Sequence, residues 1–308
     1  MTVSSDIPET ESWFHRNQQR IAPWLFLAPG ILFFAVYVIA PVFQSFNLSL
    51  YEWDGLGEKT YVGMRNYEDL YWEYVDRDAF FTSLKNNVLW LFLYLLAIPA
   101  GLFIALFLNQ TVRGIRIYKS LFFFPFVISQ VVVGLVFTWF YDPNFGLLNT
   151  MLGWVGMGPI NVLGNEHLVT YGIVAAGLWP QTAYCMILYL TGLNAVDPEQ
   201  IEAGRLDGAK GWSMLWNIIL PQLRPATFIA FVVTIIGALR SFDLISIMTQ
   251  GGPFGSSRVL AYYMFEVALS EYGFRMGYGA AIAVVLFLIM LCFITYFLWS
   301  MYREEKGH

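Results

Sequence analysis

The stretch "EAGRLDGAKGWSMLWNIILPQLRP", residues 202–225, separates two long apolar segments of a chain that is otherwise poor in charge. Of the 308 residues, 57% are hydrophobic and only 13% are charged, whereas a soluble domain carries roughly 25% charged residues. A soluble chain of this length could not bury so much apolar surface in one core and still keep a polar shell. The composition therefore predicts an integral membrane protein.

Six stretches are long and apolar enough to cross a bilayer as helices, since a spanning helix needs about 20 mostly apolar residues. Only the fifth contains charged residues, Arg240 and Asp243. We therefore predict an all-α fold with one transmembrane domain, residues 24–302, between tails at 1–23 and 303–308. Its spans are expected at about residues 24–45, 87–108, 120–141, 168–193, 226–248 and 277–300, with the quoted stretch inside a loop at 195–225.

Lysine and arginine predict which loops face the cytoplasm, where these residues are enriched. With six spans, both termini and the loop at 195–225 lie on one side of the membrane. That side carries Arg16, Arg20, Arg113, Arg116, Lys119, Arg205, Lys210, Arg224, Arg303 and Lys306. The other side carries fewer, in longer loops with many acids: Lys59, Arg65, Arg77, Lys85, Arg258 and Arg275. Both termini are therefore predicted to be cytoplasmic.

The loop at 195–225 has the pattern of two short helices joined by a bend. Pro198 and Glu199 fit the first turn of a helix, where proline and acidic residues are favoured. Gly208 and Gly211 interrupt the helical spacing, which resumes at Trp212. From these residue types alone, three interpretations remain open: a helix lying on the membrane surface, packing against the protein's own loops, or docking into a groove of a partner.

The letters of this loop resemble the EAA loop of ATP-binding-cassette (ABC) importer permeases. The matching residues are Glu202, Ala203, Asp207, Gly208, Ala209, Leu220 and Pro221. Gly204 departs from the family pattern, which usually has alanine there. Three further segments resemble the carbohydrate-uptake, maltose-permease-like branch: "YVGMRNYEDL" at 61–70, "SLFFFPFVISQVVVGLVFTWFYDPNFGLLN" at 120–149 and "RSFDLISIMTQGGP" at 240–253.

This resemblance implies a type I importer permease fold in a bacterial inner membrane, with no enzymatic activity of its own. It implies four partners: a second homologous permease, two cytoplasmic ATPase subunits and an external sugar-binding protein. The chain itself would bind no cofactor, whereas the ATPase partner would use ATP and Mg²⁺. The sequence agrees, because it contains no Gly-x-x-x-x-Gly-Lys-Ser/Thr phosphate-binding loop.

The same resemblance assigns two sets of contact residues. The ATPase would be contacted through Glu202, Ala203, Gly204, Asp207, Gly208 and Ala209. The external binding protein would be contacted through Gly251, Gly252 and Pro253, although a Gly-Gly-Pro sequence is also typical of a simple turn.

Polar residues inside a bilayer are costly and are therefore candidates for function. The fifth span has a small, partly polar stripe, and the fourth has aromatic and amide side chains, which together suit a sugar. In maltose-type permeases these two helices hold the sugar, but the side chains differ here, which argues against maltose itself. The predicted substrate residues are Trp179, Gln181, Tyr184, Thr234, Gly237, Ala238, Arg240 and Ser241, with Gln130 as a lesser candidate.

Two alternatives apply to these residues. Small residues also let transmembrane helices approach closely, so the stripe on the fifth span is open to a packing role. Arg240 and Asp243, three positions apart, are expected to pair with each other; the alternative is that Arg240 faces an anionic group of the substrate.

The function predicted from these observations is the permease subunit of an ATP-driven importer for a sugar, oligosaccharide or glycoside. A stand-alone secondary transporter or facilitator is the first alternative, and it would transport without ATP. A membrane enzyme is the second, and it would need a cluster of catalytic acids or histidines that the spacing does not provide. The two cysteines and three histidines likewise show no metal-ligand spacing.

Overall fold

The computed structural model describes residues 13–110, 112–270 and 274–306. Within these ranges, strand structure is confined to one antiparallel pair, Tyr51–Glu52 with Thr60–Tyr61. The α-helices are Trp13–Phe34, Ala40–Leu48, Arg65–Trp72, Tyr74–Tyr94, Ala97–Leu108, Ile115–Val127, Gln130–Phe140, Leu147–Trp154, Val169–Asn194, Pro198–Leu206, Trp212–Met214, Leu220–Gln222, Arg224–Leu239, Asp243–Met248, Leu260–Leu269 and Met276–Lys306. Two π-helical stretches, Ala35–Ile39 and Leu215–Ile219, complete the helical structure. The predicted all-α class is confirmed.

In the described part of the chain, five helices have the length and apolar composition of a membrane span, and a bent pair makes a sixth. In chain order, the first to sixth spans are Ala22–Leu48, Val75–Leu108, Ile115–Val127 with Gln130–Phe140, Val169–Asn194, Arg224–Met248 and Met276–Arg303. The chain is therefore a multi-pass membrane protein. Which side each terminus faces stays a prediction.

The third and fifth spans are broken. The two halves of the third span meet at 97°, because Ile128 is extended and Ser129 caps the second half by accepting a hydrogen bond from the Val132 amide. In the fifth span one helix ends at Leu239 and the next begins at Asp243. The sequence predicted a continuous helix at both places.

Each π-helical stretch ends two residues before a proline, Pro41 or Pro221. Proline has no amide hydrogen to offer the carbonyl four residues earlier, and its ring crowds that carbonyl. Widening the turn accommodates the ring without ending the helix. The prolines therefore account for the position of both irregular turns.

The core lies among the second, fourth, fifth and sixth spans. Its largest fully buried side chains include Trp90, Tyr189, Tyr278, Ile173 and Ile282. The first span differs, since none of its most apolar window is buried inside the chain. The first span therefore exposes its apolar surface, as expected for a helix facing lipid or another membrane subunit.

A half-buried ion pair joins the start of the second span to the residue before the sixth. Arg275 Nη1 lies 2.8 Å from Asp76 Oδ2, and the guanidinium sits 4.0 Å from the centroid of the Tyr278 ring. Burial lowers the pKa of Arg275, but the hydrogen bond and the negative charge of Asp76 outweigh it and raise that pKa above its ordinary value. Arg275 therefore stays charged and fastens these two spans together on the predicted outer side.

Candidate functional site

A cavity of about 330 Å³ opens among the second, third, fourth and fifth spans. Its lining is mixed, with aromatic, amide, charged and hydroxyl side chains together. Ligand sites for small polar molecules typically combine apolar walls with a few placed polar groups in this way. The lining residues are Trp90, Tyr94, Gln130, Gln181, Val233, Ile236, Gly237, Arg240, Ser241, Phe242, Asp243 and Leu244.

Five of the predicted substrate residues, counting the lesser candidate Gln130, meet in this cavity: Gln130, Gln181, Gly237, Arg240 and Ser241. The Ser241 hydroxyl donates to the Gly237 carbonyl at 3.1 Å, so its oxygen keeps acceptor capacity. Gly237 adds no side chain, which leaves space between Gln181 and the ring of Tyr94. The break after Leu239 presents Arg240 and Ser241 at the end of the helix.

Thr234 and Ala238 do not line the cavity. Both are fully buried, and Thr234 Oγ1 accepts a hydrogen bond of 2.9 Å from Gln181 Nε2. This bond ties the fourth span to the fifth and orients the Gln181 amide. Thr234 therefore acts on the cavity through Gln181.

Trp179 and Tyr184 also lie outside the cavity. Trp179 borders a separate apolar recess of about 550 Å³ and packs against Phe137. Tyr184 packs its ring 5.1 Å from that of Phe126. Residues two apart on a helix point to nearly opposite sides, so Trp179 and Gln181 cannot share one face.

The expected pair between Arg240 and Asp243 is not formed. Both side chains are exposed, and the ion pairs of the described residues do not join them. The expectation assumed a continuous helix, whereas Arg240 lies just past the end of one helix and Asp243 begins the next. Both charges instead line the cavity.

Two aromatic residues that border the cavity, Trp90 and Tyr94, were not predicted from the sequence. They lie four residues apart on helix Tyr74–Tyr94, with ring centroids 5.0 Å apart. Residues at this spacing are neighbours on one helix face. An aromatic pair at i and i+4 in an apolar span was the available signal, but burial in the core hides it among ordinary packing residues.

The predicted pair of short helices in the loop at 195–225 is confirmed. Asp197 caps the first, Pro198–Leu206, by accepting a hydrogen bond from the Glu199 amide. The helix ends in a Schellman motif, with the Gly208 amide bonded to the Arg205 carbonyl and the Ala209 amide to the Gly204 carbonyl. We call residues 195–225 the coupling segment.

Gly208 occupies the left-handed position of that motif, with φ of +86°. A side chain there would be strained even though the surrounding space is open. The Asp-Gly-Ala letters thus encode the end of the helix as well as a family pattern.

Gly204 is buried where the two halves of the coupling segment meet. A Cβ at this position would overlap the tip of the Ile218 side chain. Glycine therefore lets the first helix approach the π-helical return. This close approach accounts for the one position that departs from the family pattern.

The opposite side of the coupling segment is exposed. Leu206 is 89% exposed and Trp212 and Trp216 are also open to solvent. Glu202, Ala203 and Asp207 are exposed on the same helix or its end. An exposed set of large apolar residues framed by charges is typical of a protein contact surface.

The predicted contact loop at Gly251, Gly252 and Pro253 forms a tight turn braced by Ser257. The Ser257 hydroxyl donates to the Gly252 carbonyl at 2.7 Å, and Gly251 is buried against Tyr262. Phe254, at the tip, is 92% exposed. The glycines shape the turn, and Phe254 is the side chain that it displays.

Across the described residues, no three His, Cys, Asp or Glu side chains come together as a metal site.

The family model described as "Binding-protein-dependent transport system inner membrane component" matches residues 97–302. A probable ABC transporter permease protein of Pyrococcus horikoshii is 34% identical over 92% of this chain and 96% of its own length. The alpha-glucoside transport system permease protein AglF of Rhizobium meliloti is 33% identical over 95% of this chain and 86% of its own.

Solved structures show the same fold. A chain of a bacterial ABC transporter for the acidic polysaccharide alginate aligns with a TM-score of 0.80 at 21% identity, over 94% of this chain and 99% of that one. A chain of the alginate transporter in complex with an alginate pentasaccharide-bound periplasmic protein aligns with a TM-score of 0.75 at 22% identity, over 91% and 95%. The chain belongs to the family of binding-protein-dependent transport system inner membrane components, the permease subunits of ABC transporters.

Proposed function

We propose that this permease carries an oligosaccharide or glycoside through the cavity between its second, third, fourth and fifth spans. The solute is delivered by an external binding protein, and a second permease subunit completes the pathway. Two ATPase subunits on the cytoplasmic side bind ATP with Mg²⁺ and hydrolyse it. The complex works in a bacterial inner membrane.

The observation that carries the proposal is the mixed lining of the cavity. Two amides, Gln130 and Gln181, with Ser241 supply donors and acceptors for hydroxyl groups. Trp90 and Tyr94 border the cavity as an almost fully buried aromatic pair, which suits the apolar face of a sugar ring that enters it. The name of the Rhizobium meliloti relative, which refers to alpha-glucosides, agrees with this chemistry.

The exposed surface of the coupling segment supports the ATPase contact. The helix Pro198–Leu206 is held at both ends by its cap and its Schellman motif, so it can dock without first being ordered. Binding-protein delivery is supported by the alginate transporter, which was solved with its periplasmic protein. The braced turn carrying Phe254 offers that partner a fixed surface.

The test uses the complex purified through a tag on this chain, placed in proteoliposomes with its binding protein. Maltose, trehalose and sucrose serve as alpha-glucoside probes of sugar-stimulated ATP hydrolysis and uptake. We expect stimulation by at least one probe, and Gln181→Ala to lower the uptake of that probe about tenfold, since the amide is lost from the cavity wall. Uptake without ATP, or no response to any of the three sugars, would contradict the proposal.

A further inference from the structure

Two buried polar atoms among the residues that line the cavity have no hydrogen-bond partner. They are Nε1 of Trp90, on the second span, and Oε1 of Gln130, the first residue after the break in the third span. Buried polar atoms in folded proteins are nearly always paired with protein or ordered water. Two orphans on residues lining one cavity therefore point to a partner that enters it.

The two atoms require opposite partners. An indole N–H only donates, and the oxygen of an amide only accepts. A hydroxyl group does both, so a hydroxylated ligand can satisfy both residues, whereas an apolar ligand would leave both unpaired. The rings of Trp90 and Tyr94, tilted by 50° to each other, border the same cavity and would add apolar contacts to such a ligand.

We propose that Trp90 and Gln130 contact the transported solute directly, with one substrate hydroxyl accepting from Trp90 Nε1 and one donating to Gln130 Oε1. The inference rests on the proposed function, because it requires that the cavity hold the solute. It extends the binding residues from the fourth and fifth spans to the second and third. The solute is then held between Gln181 and Ser241 on one pair of spans and Trp90 and Gln130 on the other.

The test compares conservative substitutions in the protein with the removal of single hydroxyl groups from the sugar. Trp90→Phe keeps an aromatic ring but removes the N–H, and Gln130→Met keeps the side-chain length but removes the amide. In the tagged complex with saturating binding protein, each variant should lower the maximal uptake of the best of maltose, trehalose and sucrose by roughly 2- to 10-fold. Control variants are Trp139→Phe and Gln44→Met, at exposed positions outside the cavity, which should change uptake by less than 2-fold.

Singly deoxygenated derivatives of that sugar then identify the contact. Removing the hydroxyl that meets Trp90 should slow wild-type transport by the same factor as Trp90→Phe, with no further loss when both changes are combined. The affinity of the binding protein for each derivative is measured separately, so that its own discrimination is removed from the comparison. The yield of assembled complex is measured for every variant. Trp90 is fully buried, so Trp90→Phe can lower the stability of the chain as well as its uptake, and Gln130→Met provides an independent test.

The outcomes are distinct. If the wild-type complex takes up the sugar and the Trp90→Phe and Gln130→Met variants take it up equally well, this inference is wrong. The proposed function then still stands. The inference is also wrong if each variant loses the same fraction of uptake with every deoxygenated derivative. Such a result indicates that the site is filled by water or is purely structural. If the wild-type complex carries none of the three sugars, the proposed function fails and this inference fails with it.

Discussion

Replacing Gly208 with valine tests whether the left-handed turn that ends helix Pro198–Leu206 of the coupling segment is needed for transport. At φ of +86° an L residue is strained by roughly 1–2 kcal/mol, and a β-branched side chain is among the least tolerated. Relieving the strain would break the two capping hydrogen bonds from Gly208 and Ala209, each worth about 1 kcal/mol. Every 1.4 kcal/mol lowers the population of the ordered helix about tenfold.

We therefore expect Gly208→Val to reduce sugar-stimulated ATP hydrolysis by about tenfold or more. The assay is phosphate release from proteoliposomes, at equal amounts of assembled complex. Gly208→Asn is the matched control, because asparagine tolerates the left-handed region; it should keep activity within about threefold of wild type. Full stimulation in the valine variant would refute the reasoning. An equal loss of stimulated ATP hydrolysis in the valine and asparagine variants would also refute it, because any side chain at this position would then be harmful, whatever its tolerance of the left-handed region.

Three further predictions follow from local contacts. Gly204→Ala should keep sugar-stimulated ATP hydrolysis within twofold of wild type, because only the flexible tip of Ile218 must move. Gly204→Leu should abolish the stimulation. Equal activity of the two variants would contradict the close approach of Gly204 to Ile218. Asn86→Ala removes two hydrogen bonds to loop carbonyls and should lower the apparent Tm of the complex by about 2–4 °C, whereas exposed Asn144→Ala should not. A double-mutant cycle at Asp76 and Arg275 should give a coupling of about 0.2–1 kcal/mol, since the arginine is half exposed. Strictly additive changes in Tm would exclude a working ion pair.

The spans could be predicted from sequence because their signal is local. A run of about 20 apolar residues has few alternatives to a spanning helix, so each predicted span has a counterpart in the structure. The breaks could not be predicted in the same way. Ile128 and Ser129 carry no charge within an apolar run, and the turn at Arg240 depends on how the helices around it pack.

The cavity was only half predictable for a related reason. The sequence prediction grouped Gln181 with Trp179 and Tyr184, but only Gln181 lines the cavity. Helical spacing separates Gln181 from Trp179, two residues away, yet it places Tyr184, three residues away, on the same face as Gln181, so spacing alone does not say which residues of a face meet the cavity. Thr234 met every requirement of a polar lining residue and is nevertheless buried under Gln181. Trp90 is a large aromatic residue within an apolar span, as many core residues are. Its unpaired indole nitrogen distinguishes it from an ordinary core residue.

The coupling segment and the cavity are connected by the same two helices. Gln181 lies thirteen residues before the end of Val169–Asn194, and Gly237 lies thirteen residues after the start of Arg224–Leu239, about 20 Å in both cases. At the base, the Asp197 amide donates to Gln222 Oε1 at 2.9 Å, and at cavity level Gln181 bonds Thr234. The first bond closes the two ends of the coupling segment and the second joins the two helices, so we expect a displacement of the segment to move both helices together. In the proposed function, a solute held between this pair and the residues Trp90 and Gln130 would experience that displacement directly, as an ATP-driven change of state requires.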